Sequence, residues 1–205
     1  METRENGVRN PEERKGFTLI EMMVVIAIIG ILCGIAFVSM LHYRTIIRVN
    51  AAARDLAGEV RLARAQAINA GNSVLINFVD TGKAGYSYQI GSDPSESGTF
   101  TGYFRTNFLE SGVIFGYYPG ISAVPGHDYP VTQAIEVELG NHLYGKKVFF
   151  RQDGTASNSG VVYLIPEADL SSTGNRDDHS RSVDWDASTG RIRIWEWKYA
   201  DHVWR

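Results

Sequence analysis

RKGFTLIE, residues 14–21, runs without a break into MMVVIAIIGILCGIAFVSML, residues 22–41. The second stretch contains no charge and no proline. As a helix, about twenty such residues cover roughly 30 Å, the hydrocarbon thickness of a bilayer. A secretory signal peptide has a shorter apolar core, followed by a small-residue cleavage site. The exit of this run, LHYRTIIRVN at residues 41–50, offers no such site. A plain signal anchor accounts for the apolar run but not for its front edge. There Glu21 places a carboxylate, which at the centre of a spanning helix costs about 2.5–3.5 kcal/mol on insertion scales and less towards the interface. Such a group calls for a partner.

Immediately upstream, Gly16 lacks a side chain, so a protease cleft can approach its backbone closely. The order is a basic pair (Arg14, Lys15), Gly16, Phe17, then Thr-Leu-Ile-Glu and the apolar run. It resembles the prepilin signal shared by type IV pilins and type II secretion pseudopilins. The resemblance implies that a prepilin peptidase cuts after Gly16 and methylates the new amine of Phe17. It also implies that Glu21 pairs with the Phe17 amine of a neighbouring subunit and so fixes the axial stagger. Glu21 is about one helical turn from Phe17, so the two charges could also pair within one chain. A paired charge in low dielectric is tolerable where a lone one is not. Residues 1–16 are then a cleaved leader, with four acids, four bases and no apolar run. Arg44 and Arg48 follow the span, so charge counts alone leave its orientation open. The short polar N-terminus favours staying cytoplasmic with the large domain exported, and the resemblance implies a single-pass protein of the bacterial inner membrane with its head periplasmic.

Beyond the expected transmembrane helix at residues 17–41, the helical pattern continues over residues 42–71. Val49, Ala53, Leu56, Val60, Ala63 and Ala67 recur in steps of three and four and form one stripe. Arg48, Arg54, Asp55, Glu59, Arg61, Arg64 and Gln66 occupy the other face. The stripe suits packing on the protein's own sheet, and a coiled-coil seam is the alternative. Gly71 stands where a C-terminal glycine cap would end the helix.

After Gly71 the period changes. Strands are expected at residues 74–79, 86–90, 135–139, 147–150, 161–165 and 191–195, separated by Asp-Thr-Gly, Asp-Gly, Ser-Gly and Thr-Gly turns. The alternation at residues 135–139 predicts one wet face. Residues 91–129 read as irregular loops with short strands, and residues 171–180 as a polar loop. The fold class is α+β: a long N-terminal helix, transmembrane then amphipathic, against an antiparallel sheet or sandwich head at residues 72–205. The runs FFRQDGTA (residues 149–156), GVVYL (160–164) and STGRIR (188–193) resemble the GspH/FimT branch of pseudopilins.

The composition is ordinary, with 44% hydrophobic and 21% charged residues and a formal net charge of -3, so no global basic field calls for nucleic acid. The single cysteine, Cys33, cannot form an internal disulfide and reads as a small apolar residue in the membrane run. His42, His127, His142, His179 and His202 show no metal-ligand spacing, and no nucleophile elbow or P-loop is present. No catalytic residue, metal or cofactor is expected. Asp177, Asp178 and His179, with Asp184 and Asp186 nearby, read as a solvated acidic loop, with calcium as the alternative. Trp195 and Trp197 share a face, so one sheet side there is strongly apolar or covered by a partner. Arg191 and Arg193 alternate on one expected strand, with Arg151, Arg176 and Arg181 as candidate neighbours. In the FimT sub-branch a Gly-Arg-x-Arg motif implies DNA contact, and residues 190–193 match it; solvated arginines on a hairpin are the alternative. The reading is an H-type minor pseudopilin of a type II secretion system, with a FimT-like minor pilin that binds DNA for natural transformation as its rival. The partners implied are the prepilin peptidase, other pilins or pseudopilins, the inner-membrane assembly platform and membrane lipid.

Overall fold

The computed structural model describes residues 17–80, 86–102, 104–127, 130–139, 144–171, 179–198 and 201–205, without the side chains of residues 36–42, 144 and 171. Gly16, His142, Arg176, Asp177 and Asp178 therefore lie outside the described residues. The chain divides into two units, Met1–His42 and Tyr43–Arg205.

Helix α1 (Leu19–Ala70) begins at a side-chain N-cap. The Glu21 N–H donates to Thr18 Oγ1 at 3.3 Å and the Met22 N–H to the Thr18 carbonyl at 3.3 Å, so Thr18 is the N-cap and Glu21 sits at the third helical position. In the first unit the apolar side chains from Leu19 to Ile35 are exposed all round the helix. Among the described residues no helix is long and apolar enough to cross a membrane. The expected span at residues 22–41 includes residues 36–41, whose side chains are not described.

In the second unit the predicted stripe is the buried face of α1: Val49, Ala53, Leu56, Val60, Ala63 and Ala67 are all fully buried. Ala52 and Ala57 widen it. Five alanines on this face let the backbone come close to the strands beneath. The helix ends as expected. Gly71 takes φ 65°, and the Asn72 N–H reaches back to the Ala67 carbonyl at 3.3 Å, a Schellman closure.

Among the described residues of this unit lie two antiparallel sheets. One has the order β3 (Phe104–Phe108), β2 (Ser87–Ser92), β1 (Val74–Val79), β7 (Lys147–Phe150). The other has the order β11 (Val203–Trp204), β10 (Ile192–Lys198), β9 (Arg181–Trp185), β8 (Gly160–Pro166), β5 (Ile135–Glu138), β6 (Tyr144–Gly145). Strand β4 (Val113–Phe115) also pairs with β8, at residues 164–166, beyond the stretch taken by β5 at residues 160–162. Side chains alternate across β8. Val162 and Leu164 join Val183, Trp185, Phe78 and the α1 stripe in the main core. Val161 and Tyr163 join Trp197, Trp204, Ile121 and Val124 in a second cluster on the opposite face.

The structure corrects two readings. Strand β5 has no wet face at Glu136, which is buried because its carboxylate accepts the N–H groups of Thr132 and Gln133 at 2.8 and 3.1 Å. The region of His179 and Asp184 is no solvated acidic loop. His179, Ser180 and Asp184 are fully buried, and Asp184 belongs to β9, a strand that the polar composition of residues 180–184 had concealed. The shared face of Trp195 and Trp197 is strongly apolar, as expected, and the chain's own segment around Tyr117, Ile121, Val124 and Val131 covers it.

Candidate functional site

The N-terminal site is built from helix geometry. Phe17 is 76% exposed and stands just ahead of the N-cap. Glu21 is exposed in the first turn of α1, where the unpaired N–H groups of a helix start favour a negative charge. Thr18 was not singled out in the sequence, although Thr-x-x-Glu ahead of an apolar run is a legible capping signal. Gly16, the expected cleavage residue, lies outside the described residues.

The two arginines expected on one strand separate. Arg191 precedes β10 and is exposed, with its N–H on Thr189 Oγ1 at 3.2 Å. Arg193 lies within β10 directly opposite Asp184 of β9. Its Nε is 3.2 and 3.1 Å from the two oxygens of Asp184, Nη2 also bonds that carboxylate, and the guanidinium lies 5.2 Å over the Trp195 ring. Arg151 is paired with Glu96 at 2.8 Å, on the four-stranded sheet. Arg181 is buried, with its guanidinium on Asn50 and, at 3.0 Å, on Glu196. The expected cluster of arginines is therefore not assembled among the described residues.

Asp184 is the centre of a polar network that sequence reasoning missed. Trp195 Nε1 donates to Asp184 Oδ1 at 3.0 Å. His127 Nδ1 lies 2.9 Å from Glu138 Oε1, and its Nε2 lies 3.8 Å from Asp184 Oδ2. Burial opposes the charge on Asp184. The nearby His127 ring, the hydrogen bonds from Arg193 and Trp195 and the charge of Arg193 outweigh it and hold the carboxyl below its ordinary range. Burial likewise opposes a charged His127, but the nearby Asp184 carboxylate and the bond to Glu138 prevail and raise its pKa. Among the described residues no group of three or more His, Cys, Asp or Glu side chains is arranged to hold a metal ion.

A second missed residue is Arg64. Its Nε donates to the Gly154 carbonyl at 2.8 Å and its Nη2 to the Thr189 carbonyl at 3.0 Å. It thus ties α1 to both turns that carried the resemblance in the head, Asp153-Gly154-Thr155 and Ser188-Thr189-Gly190. Each turn is organised by an aspartate: Asp153 Oδ1 accepts from Thr155, and Asp186 Oδ1 accepts from Ser188 and Thr189. Those bonds pull Asp186 down to about 2.

Residues 13–37 match the model of the prokaryotic N-terminal methylation motif. A Dichelobacter nodosus protein described as a "probable minor fimbrial protein" is 44% identical over 64 residues, 30% of this chain. The match spans 38% of that relative's length. The type IV minor pilin FimU of Pseudomonas aeruginosa superposes with a TM-score of 0.46 at 15% identity, over 71% of this chain and 87% of FimU. The minor pseudopilin EpsH of the type 2 secretion system of Vibrio cholerae gives 0.44 at 13% identity, over 73% of this chain and 97% of EpsH. The chain thus carries a prokaryotic N-terminal methylation motif that leads into a long helix, followed by an antiparallel β head.

Proposed function

We propose that this chain is a minor subunit of a type IV-type filament, cut after Gly16, methylated at Phe17 and held in the inner membrane until assembly. The observation that carries this reading is the methylation motif at residues 13–37, with Glu21 in the first turn of α1. The apolar surface from Leu19 to Ile35, bare on every side, supports it. A helix apolar all round belongs in lipid or inside an assembly, because water does not tolerate such a surface. The work of the protein is then mechanical and recognitional rather than catalytic: the helix anchors and packs, and the head contacts neighbouring subunits or cargo.

The first assignment among the filament systems is an H-type minor pseudopilin of type II secretion, supported by the paired turns of the head. A minor fimbrial subunit is the second, and the name of the 44% relative favours it. Mass spectrometry of protein extracted from membranes that contain the peptidase is expected to find a chain beginning at methylated Phe17. A chain still beginning at Met1 overturns the proposal. Deleting the gene then separates the two systems. Loss of exported enzymes with surface fibres intact indicates the secretion filament, and the converse indicates the pilus.

A further inference from the structure

We propose that His127 is a pH-sensitive latch: its charged ring holds residues 117–127 over the outer face of the seven-stranded sheet, and its neutral ring lets that cover lift. The segment is the lid of the second apolar cluster, with Ile121 and Val124 buried against Val161, Tyr163, Trp197 and Trp204. Its other side-chain fastenings include two neutral bonds to carbonyls and one to the carboxylate of Asp169, which also meets His179 Nδ1 at 2.9 Å. Trp204 Nε1 donates to the Ser122 carbonyl at 2.8 Å, Tyr117 Oη to the Thr132 carbonyl at 2.9 Å, and Tyr118 Oη bonds Asp169 at 2.5 Å.

His127 differs from these because its partners need its charge. Among the described residues three charged groups face or adjoin its ring: Glu138 from β5, Asp184 from β9 and Arg193 from β10, the last bound to Asp184. With the ring protonated, two cations meet two anions. A protonated ring also has an N–H for each carboxylate, whereas a neutral ring has only one. On deprotonation one carboxylate therefore faces a lone pair, and the cluster carries a surplus negative charge. The His127 side chain is 8% exposed and that of Asp184 fully buried, so water does little to relieve the charge there, while the Glu138 side chain, 35% exposed, keeps partial access to water. The raised pKa of His127 agrees with the geometry. A group whose pKa is higher folded than unfolded contributes fully below its free value, about 6.5 for imidazole, and loses that contribution as pH rises through the folded value. The lid is therefore closed in mildly acidic surroundings and loosened in alkaline ones.

The test is acrylamide quenching of tryptophan fluorescence from about pH 5.5 to about pH 9 in the full chain in neutral detergent, with far-UV circular dichroism to confirm an unchanged fold. Quenching is expected to rise with pH. The underlying opening grows by up to about tenfold for each unit by which the folded pKa exceeds the free one. His127→Gln is expected to give high quenching at every pH, and Glu138→Gln to move the transition to lower pH. The His202 ring lies 6.2 Å from that of Trp197, so all variants are compared in a His202→Asn background to remove direct quenching by that imidazole. Quenching that is flat with pH in the parent, or pH dependence that persists unchanged in His127→Gln, overturns the proposal. A His127 variant that does not fold leaves the parent to decide through the NMR titration of its His127 ring. A midpoint at or below the free imidazole value refutes the latch, and a midpoint above it, moving with quenching, supports it.

Discussion

Gly190→Ala should destabilise the head far more than Gly154→Ala, although both glycines hold positive φ angles of 60° and 81°. The backbone term is common to both: a left-handed conformation costs a side-chain-bearing residue roughly 1–2 kcal/mol. What differs is where the new methyl points. At Gly154 it would meet Arg64 Nη2 at 3.0 Å and Ile68 Cδ1 at 3.2 Å, side-chain ends that need shift only a few tenths of an ångström, too little to break the bond from Arg64 to Thr189. At Gly190 it would meet the Gly154 carbonyl oxygen at 2.0 Å and Arg64 Nε at 2.6 Å. Backbone cannot give way so cheaply. Relief requires the two turns to part, and parting them breaks the bonds that Arg64 makes to both. Each hydrogen bond from a charged donor is worth about 1.5–3 kcal/mol, towards the lower end where the group is half-exposed. The expected loss is about 3–5 kcal/mol for Gly190→Ala against about 1–2 kcal/mol for Gly154→Ala. Urea unfolding followed by tryptophan fluorescence reads the difference as a shift in midpoint at constant slope. Two variants within about 1 kcal/mol of each other would refute the claim that this hairpin and this turn are locked together through Arg64.

Asp184→Asn is expected to cost about 3–5 kcal/mol, because it leaves the Arg193 guanidinium and the His127 ring without their buried anion. The same carboxyl gives the parent an acid limb. Its pKa is lowered in the fold, so its contribution holds above about pH 3.8 and is lost as pH falls through the folded value; thermal melts of the variant should lack that limb. Trp185→Ala removes a fully buried ring stacked 5.7 Å from Phe78 and should cost about 3–5 kcal/mol by chemical denaturation. Glu21→Val should leave cleavage after Gly16 intact while reducing the share of the protein recovered in sheared filaments. Normal recovery would remove Glu21 from assembly.

Most of the framework could be read from the chain because its signals are local. The α1 stripe showed itself in steps of three and four, and β1 and β7 have the predicted bounds, Val74–Val79 and Lys147–Phe150. What stayed hidden depends on distant partners. The run RSVDW reads as polar, yet Arg181 and Asp184 are buried, because Asn50, Glu196, Arg193 and His127 come from elsewhere to satisfy them. Arg64 looked like one of several solvated arginines, and its two carbonyl partners lie 90 and 125 residues away. Glu136 failed for the opposite reason: its partners are only three and four residues back, but they are backbone N–H groups, which side-chain alternation does not reveal.

That distinction bears on the arginines proposed for DNA. Neutralising a phosphate requires a cation not already neutralised, and each such contact adds about one unit to the salt dependence of binding. The fold has committed several arginines internally: Arg105 to Glu59, Arg151 to Glu96, Arg181 to Glu196 and Arg193 to Asp184. Arg191, in contrast, projects as an exposed residue from the hairpin that Gly190 and Arg64 hold in place. The two substitutions should therefore separate. Arg193→Ala is expected to lower the melting temperature by several degrees and to leave any retention on duplex DNA at low salt unchanged. Arg191→Ala is expected to leave melting unchanged and to flatten the salt dependence of any such retention by about one unit. If Arg193→Ala abolished retention without altering the melt, its pairing with Asp184 would not be the resting state of that arginine, and the Gly-Arg-x-Arg reading would regain both of its cations.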